Sequence, residues 1–241
     1  MKPRRNELAP PSGAMVGPEE RREILEKIAT AVRGCTRCRL HATRIHAVPG
    51  EGPIDAPVFV IGEAPGRDED ASGRPFIGAA GKIFDKGLQA VGLPREETYI
   101  TNVVKCRPPA NRAPKADEIA SCRPYLLAQI EAVRPKVAIT LGATALRGLL
   151  GHPVPFKEAR GQAIELGGVV VLPTYHPAAV LYNRRLEVEI RRDLRLAARV
   201  LISGRARHIA DRHRRDKRSH RVNARRRGPS QGAKRSARRS P

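Results

Sequence analysis

The chain has 241 residues, enough to bury the core of one domain of ~150–200 residues with flanking segments. Lysine and arginine number 46 against 24 acidic residues, a net charge of +22, which argues against an acidic scaffold and for a polyanionic partner, most often nucleic acid. No stretch approaches the ~18 consecutive apolar residues of a membrane span, and the basic opening MKPRRNELAPPSGAMVG lacks the apolar region of a secretory signal, so no membrane partner is expected.

Residues 1–17 read as a flexible N-terminal segment. Residues 18–34 predict a helix, with Pro18 suited to its first position and Ile24, Leu25, Ile28, Ala31 and Val32 in one apolar stripe. PVFVIG at 57–62 reads as a short buried strand. Residues 78–91 repeat at helical spacing, and TYITNVV at 98–104 is a second strand. A helix over 115–133, a strand over 136–141 and a short helix over 143–150 follow. GVVVL at 168–172 is the fourth strand, and 186–202 the last helix. Apolar strands alternating with helices indicate an α/β fold, a parallel sheet covered on both faces. From residue 203 onward the chain carries 15 Lys/Arg against 2 Asp and almost nothing apolar, so it reads as a disordered basic tail. Such a tail holds phosphates without sequence preference; the plainer alternative is that it only aids solubility.

Ligands of such sheets bind beyond the carboxyl ends of the strands. After the first strand comes Gly62-Glu63-Ala64-Pro65-Gly66-Arg67-Asp68-Glu69-Asp70, a sharp turn and an acidic run. It has neither the Gly-Lys-Ser/Thr ending of a Walker A loop nor a GxGxxG fingerprint. Phe76, one of eight aromatic residues, lies in Gly73-Arg74-Pro75-Phe76-Ile77-Gly78, where a loop aromatic can stack on a base; a core Phe is the plainer reading. Asn102 interrupts the second strand, and its amide can complement the N3–H and O4 edge of uracil, or else be satisfied by backbone. His176 follows the fourth strand in Pro173-Thr174-Tyr175-His176-Pro177, placed to donate to a developing anion or merely to cap a helix.

Cys35 and Cys38 form a C-x2-C pair, with Cys106 and Cys122 later in the chain. With no export signal, the cysteines suggest thiolate ligands or redox chemistry in a reducing compartment rather than disulfides. A thioredoxin-type pair would follow a strand, and this one precedes the first. Spacing does not separate zinc on four thiolates, or on Cys35/Cys38 with His41 or His46, from a [4Fe–4S] cluster.

In order and spacing, C-x2-C, GEAPG…ED, GRPFIG, TNVVKCRPPANR, CRPYL and YHPA resemble the iron–sulfur uracil-DNA glycosylases, family 4 of that superfamily. The resemblance implies a three-layer α/β/α sandwich with a central four-stranded parallel sheet over residues 18–202, and a [4Fe–4S] cluster on Cys35, Cys38, Cys106 and Cys122. It implies excision of uracil from DNA, leaving an abasic site, by a monomer in the cytoplasm at the nucleoid. The matching positions give Phe76 the role of stacking on uracil, Asn102 that of reading its N3/O4 edge, and His176 that of a donor near O2. Gly62, Glu63 and Ala64 line the pocket. Ala64 stands where other branches carry a water-orienting Asp, which leaves Glu63, Glu69 or Asp70 to aid the water or the sugar. Glu69 is expected to crowd C5 of the base. Lys105, Arg107, Arg112, Leu181, Arg184 and Arg185 are expected DNA contacts, with Asn111 and Tyr182 beside them. A branch that bonds to the abasic sugar through a His in an insertion fits less well, because 107–121 contains no His. Two other readings are a metal-stabilised, non-catalytic nucleic-acid-binding module and a glycosylase for other deaminated bases.

Overall fold

The computed structural model describes residues 17–203. The expected N-terminal segment and basic tail lie outside them, save Gly17 and Ser203 at the borders. Three strands, β1 (Val58–Gly62), β2 (Thr98–Asn102) and β3 (Val137–Leu141), are buried along their whole length. Such strands need cover on both faces, and their alternating side chains feed two cores. Phe59 and Ile61 pack towards α1 (Pro18–Arg33), α4 (Ala116–Val133) and α5 (Ala143–Leu150). Val58 and Val60 pack towards α3 (Ala79–Gln89) and α7 (Leu186–Ser203). Two short helices, α2 (Arg67–Ser72) and α6 (Phe156–Ala159), complete the helical set.

The helix ends follow local chemistry. Pro18 opens α1 with Glu19 and Glu20 in the first turn, where the missing N–H costs nothing and negative charge meets the positive helix end. The Glu118 carboxylate accepts the Lys115 N–H at 2.8 Å and caps α4.

With β4 (Ile164–Leu166) and β5 (Val169–Thr174) the sheet has five strands, not the four expected, in the order β2-β1-β3-β5-β4. The extra strand, β4, pairs antiparallel with β5. Gly167 and Gly168 join them with φ of 57° and 87°, the left-handed pair a two-residue hairpin requires. The other pairings are parallel, as read from the sequence. Glu51 exchanges two backbone hydrogen bonds with Ile100 and covers the open edge of β2. Among the described residues no helix is long and apolar enough to cross a membrane.

Candidate active site

The parallel register aligns Gly62 with Asn102 and Leu141 with Thr174, so the chain leaves all four strands at one rim. The segments beyond that rim enclose a cleft of about 630 Å³, whose walls include Glu63, Ala64, Glu69, Phe76, Asn102 and His176.

Asn102 is 1% exposed, and its Oδ1 has no hydrogen-bond partner. Leaving a buried acceptor unpaired costs about 1–3 kcal/mol, and this one belongs to a residue of the cleft wall. Gly62 stands against this amide. A Cβ there would overlap Asn102 Oδ1 and the Phe76 ring, so the close approach requires glycine.

Phe76 is buried with φ of 53°, a left-handed conformation that costs a residue with a Cβ roughly 1–2 kcal/mol. Its ring centroid lies 5.8 Å from that of His176 and 6.0 Å from that of Phe84. The Glu69 carboxylate accepts backbone N–H groups of Gly66, Ile77 and Gly78 at 2.8–3.0 Å. It thus joins the turn after β1 to the loop that bears Phe76.

His176 Nδ1 accepts the Ala178 N–H at 3.2 Å, which puts the ring proton on Nε2. His176 keeps partial contact with the cleft but is ringed by protein. That burial lowers its pKa to about 4 against the opposing pull of the Glu69 charge, so the imidazole is neutral near pH 7. The chain before it is braced. Asp193 of α7 accepts from Thr174 Oγ1 at 2.7 Å and from Arg160 Nη1 at 2.9 Å, and the Arg160 guanidinium lies 4.8 Å from the Tyr175 ring centroid.

Arg107, Asn111 and Arg112 also line the cleft. Arg107 Nε donates to Asn111 Oδ1 at 2.8 Å, while Arg112 donates both terminal nitrogens to the buried Glu118 at 2.7 and 2.9 Å. Leu181 is 56% and Tyr182 91% exposed, with Arg184 and Arg185 also exposed. None of these four is part of the cleft wall. Lys105 departs from the sequence reading. Its side chain is 1% exposed, and Nζ donates to Thr101 Oγ1, Asn102 O and Gln129 Oε1, so it is not presented to a strand on the surface. An ammonium follows its hydrogen-bond acceptors, and the end of β2 supplies them inside the protein.

Cys35, Cys38, Cys106 and Cys122 line one small cavity between α1, α4 and the segment after β2. Among the described residues no group of three or more His, Cys, Asp or Glu side chains is placed to hold a single ion. The Arg37 and Lys105 N–H groups donate to Cys35 and Cys122 Sγ, and Arg44 Nη1 donates to Cys106 Sγ at 3.0 Å. Burial pushes the Cys122 thiol up to about 12 and raises that of Cys106. A bound cation would favour the thiolates, and the donors then face sulfurs able to use them. Donor type, number and surroundings fit a group that takes four thiolates.

Sequence reasoning missed the bracing side chains Glu51, Arg95, Arg160 and Asp193. Each acts on a segment distant in the chain, so no local spacing announces it.

A mostly parallel sheet with a cleft at its carboxyl rim, lined by Phe76, Asn102 and His176, defines an α/β protein with a candidate site at the strand ends. Residues 49–208 match the family model described as the uracil DNA glycosylase superfamily. A type-4 uracil-DNA glycosylase of Thermotoga maritima is 46% identical over 170 residues, covering 70% of this chain and 88% of that protein. One from Saccharolobus solfataricus is 44% identical over 188 residues, covering 74% and 87%. A type-5 uracil-DNA glycosylase of Pyrobaculum aerophilum is 36% identical over 162 residues, covering 59% and 70%. The chain belongs to the uracil-DNA glycosylase superfamily, in its type-4 family.

Proposed function

We propose that this protein is a DNA-repair hydrolase that takes uracil out of the helix and cleaves its N-glycosidic bond, leaving an abasic site. The observation that carries this reading is the buried, unpartnered Asn102 Oδ1 in a cleft walled by Phe76 and a neutral His176. Asn102 Oδ1 accepts the N3–H of uracil while its amide nitrogen donates to O4; cytosine presents the opposite polarity at both positions. Phe76 stacks on the ring. As the bond between C1′ and N1 breaks, the electron pair moves into the ring, and His176 Nε2–H donates to the growing negative charge at O2. One preorganised donor of this kind contributes roughly 3–4 kcal/mol. Water adds to C1′ as the uracil anion leaves, and the proton it gives up passes through solvent to that anion, so the products are free uracil and the abasic sugar. Glu63 is the carboxylate suited to orient that water, since Ala64 carries none. Glu69 holds the cleft wall that crowds C5 of the base.

Extruding the base costs a few kcal/mol, which contacts to the strand must offset. We assign these to Arg107, Arg184 and Arg185, with Arg112 at the cleft rim and Leu181 as the apolar wedge. The basic stretch from residue 203 adds counterion release, and the enzyme acts as a monomer at the nucleoid. Cys35 and Cys38 in the turn after α1, Cys106 after β2 and Cys122 in α4 would hold a [4Fe–4S] cluster. Iron and sulfide analysis with visible absorption separates that cluster from zinc. Incubation with uracil-containing oligonucleotides, followed by alkali, tests the activity. Strand breaks at uracil with release of the free base are expected, and intact strands would overturn the assignment.

A further inference from the structure

Phe76 has a strained backbone, and strain persists only where the surroundings impose it. Its two flanking peptide units are gripped from both sides. On one side the Glu69 carboxylate accepts the N–H groups of Ile77 and Gly78. On the other, Arg95 donates to the carbonyl of Pro75 at 2.6 Å and of Phe76 at 3.1 Å. The same guanidinium donates to Asp85 Oδ1 at 3.0 Å and Glu51 Oε1 at 2.8 Å. Glu51 also takes Arg74 Nε and Nη2 at 2.9 and 3.1 Å, so one carboxylate–guanidinium pair fixes the chain on both sides of the ring. Through its backbone Glu51 is bonded to Ile100, two residues before Asn102 in β2. Phe76 is thereby referred to the strand that carries the base-reading amide. Burial alone would raise the Glu51 carboxyl, but the hydrogen bonds from Arg74 and Arg95 more than offset it and hold it below the usual carboxylate range. The Arg95 side chain is 18% exposed and is not part of the cleft wall.

We infer that Arg95, braced by Glu51, is a positioning residue for base stacking: it touches neither base nor sugar, and it sets the plane of the Phe76 ring relative to Asn102. The inference rests on the reading of Phe76 as the stacking residue. A planar fork that binds two successive carbonyls and two carboxylates is a task for arginine, and a lysine point charge cannot span it.

The test is a double-mutant cycle of Arg95→Met and Phe76→Ala. It is read as single-turnover uracil release, inhibition by free uracil, and affinity for uracil-free duplex, with thermal melts to confirm folding. Arg95→Met is expected to slow release and weaken inhibition by uracil about tenfold to a hundredfold, the scale of a misplaced contact, with duplex affinity unchanged. Arg95→Lys should recover only part of this. In the Phe76→Ala background, Arg95→Met should add less than about twofold, because the two act through one ring. Additive losses, or undiminished inhibition by uracil in Arg95→Met, would overturn the proposal while leaving the stacking reading intact. If Phe76→Ala releases uracil at the unmutated rate, the stacking reading itself fails, and this proposal with it. Should Arg95→Met not fold, Glu51→Gln enters the same cycle, with the same signs and a smaller loss.

Discussion

Asn102 and Lys105 lie three residues apart at the carboxyl end of β2, and both side chains are 1% exposed. The ammonium of Lys105 has three internal acceptors. The amide oxygen of Asn102 has none. One segment thus turns a satisfied polar group towards the cysteine cavity and an unsatisfied one towards the cleft. Burial is the same in both, so burial does not mark the site; an open hydrogen bond on a side chain that lines the cleft does. A group whose partners are all internal serves the fold, and one kept dry and unpaired waits for a ligand.

The contrast is broken most directly by Asn102→Ala. Uracil release should fall by roughly 10²–10³-fold, while the melting temperature holds or rises because an unpaired buried acceptor has been removed. A large loss of stability instead would mean that Asn102 serves the fold as Lys105 does. His176→Gln comes next, with release expected to slow by about a hundredfold.

Lys105→Met should behave in the opposite way to Asn102→Ala. Stranding three acceptors should cost about 1–3 kcal/mol in denaturant unfolding, with the salt dependence of DNA binding unchanged. A phosphate contact would instead lower the slope of log affinity against log salt by about 0.9.

The same contrast extends to pH. His176 titrates at about 4 in the folded chain against 6.5 when unfolded, so the unfolded state takes up its proton first as pH falls. The stability that neutral His176 brings is therefore complete above about 6.5 and lost as pH drops towards about 4, at up to ~1.4 kcal/mol per pH unit. Melts of the unmutated protein and His176→Gln should converge above that window and separate within it. Release rates should show no inflection from this imidazole near pH 6.5, and such an inflection would mean that the working form is protonated.

Much of this architecture was legible in the residues. Continuous apolar runs at β1 and β3, and a β-branched, aromatic run at β2, announced buried parallel strands, and polar residues at their ends announced a rim. Three features were not read. The hairpin of β4 and β5 hides in a three-residue strand, although Gly167-Gly168 between apolar runs is the signal for it. Lys105 looked like a phosphate contact because basic residues near a DNA site usually are, and only the fold brings Gln129 of α4 to its ammonium. Arg95, Glu51 and Asp193 escaped for the same reason, since each acts on backbone or side chains brought near only by tertiary packing.

Uracil soaked into crystals of the protein should lie with its ring against Phe76, its N3 and O4 facing the Asn102 amide and its O2 facing His176 Nε2. Uracil bound elsewhere, or lying in the cleft with its N3 turned away from Asn102, would contradict it.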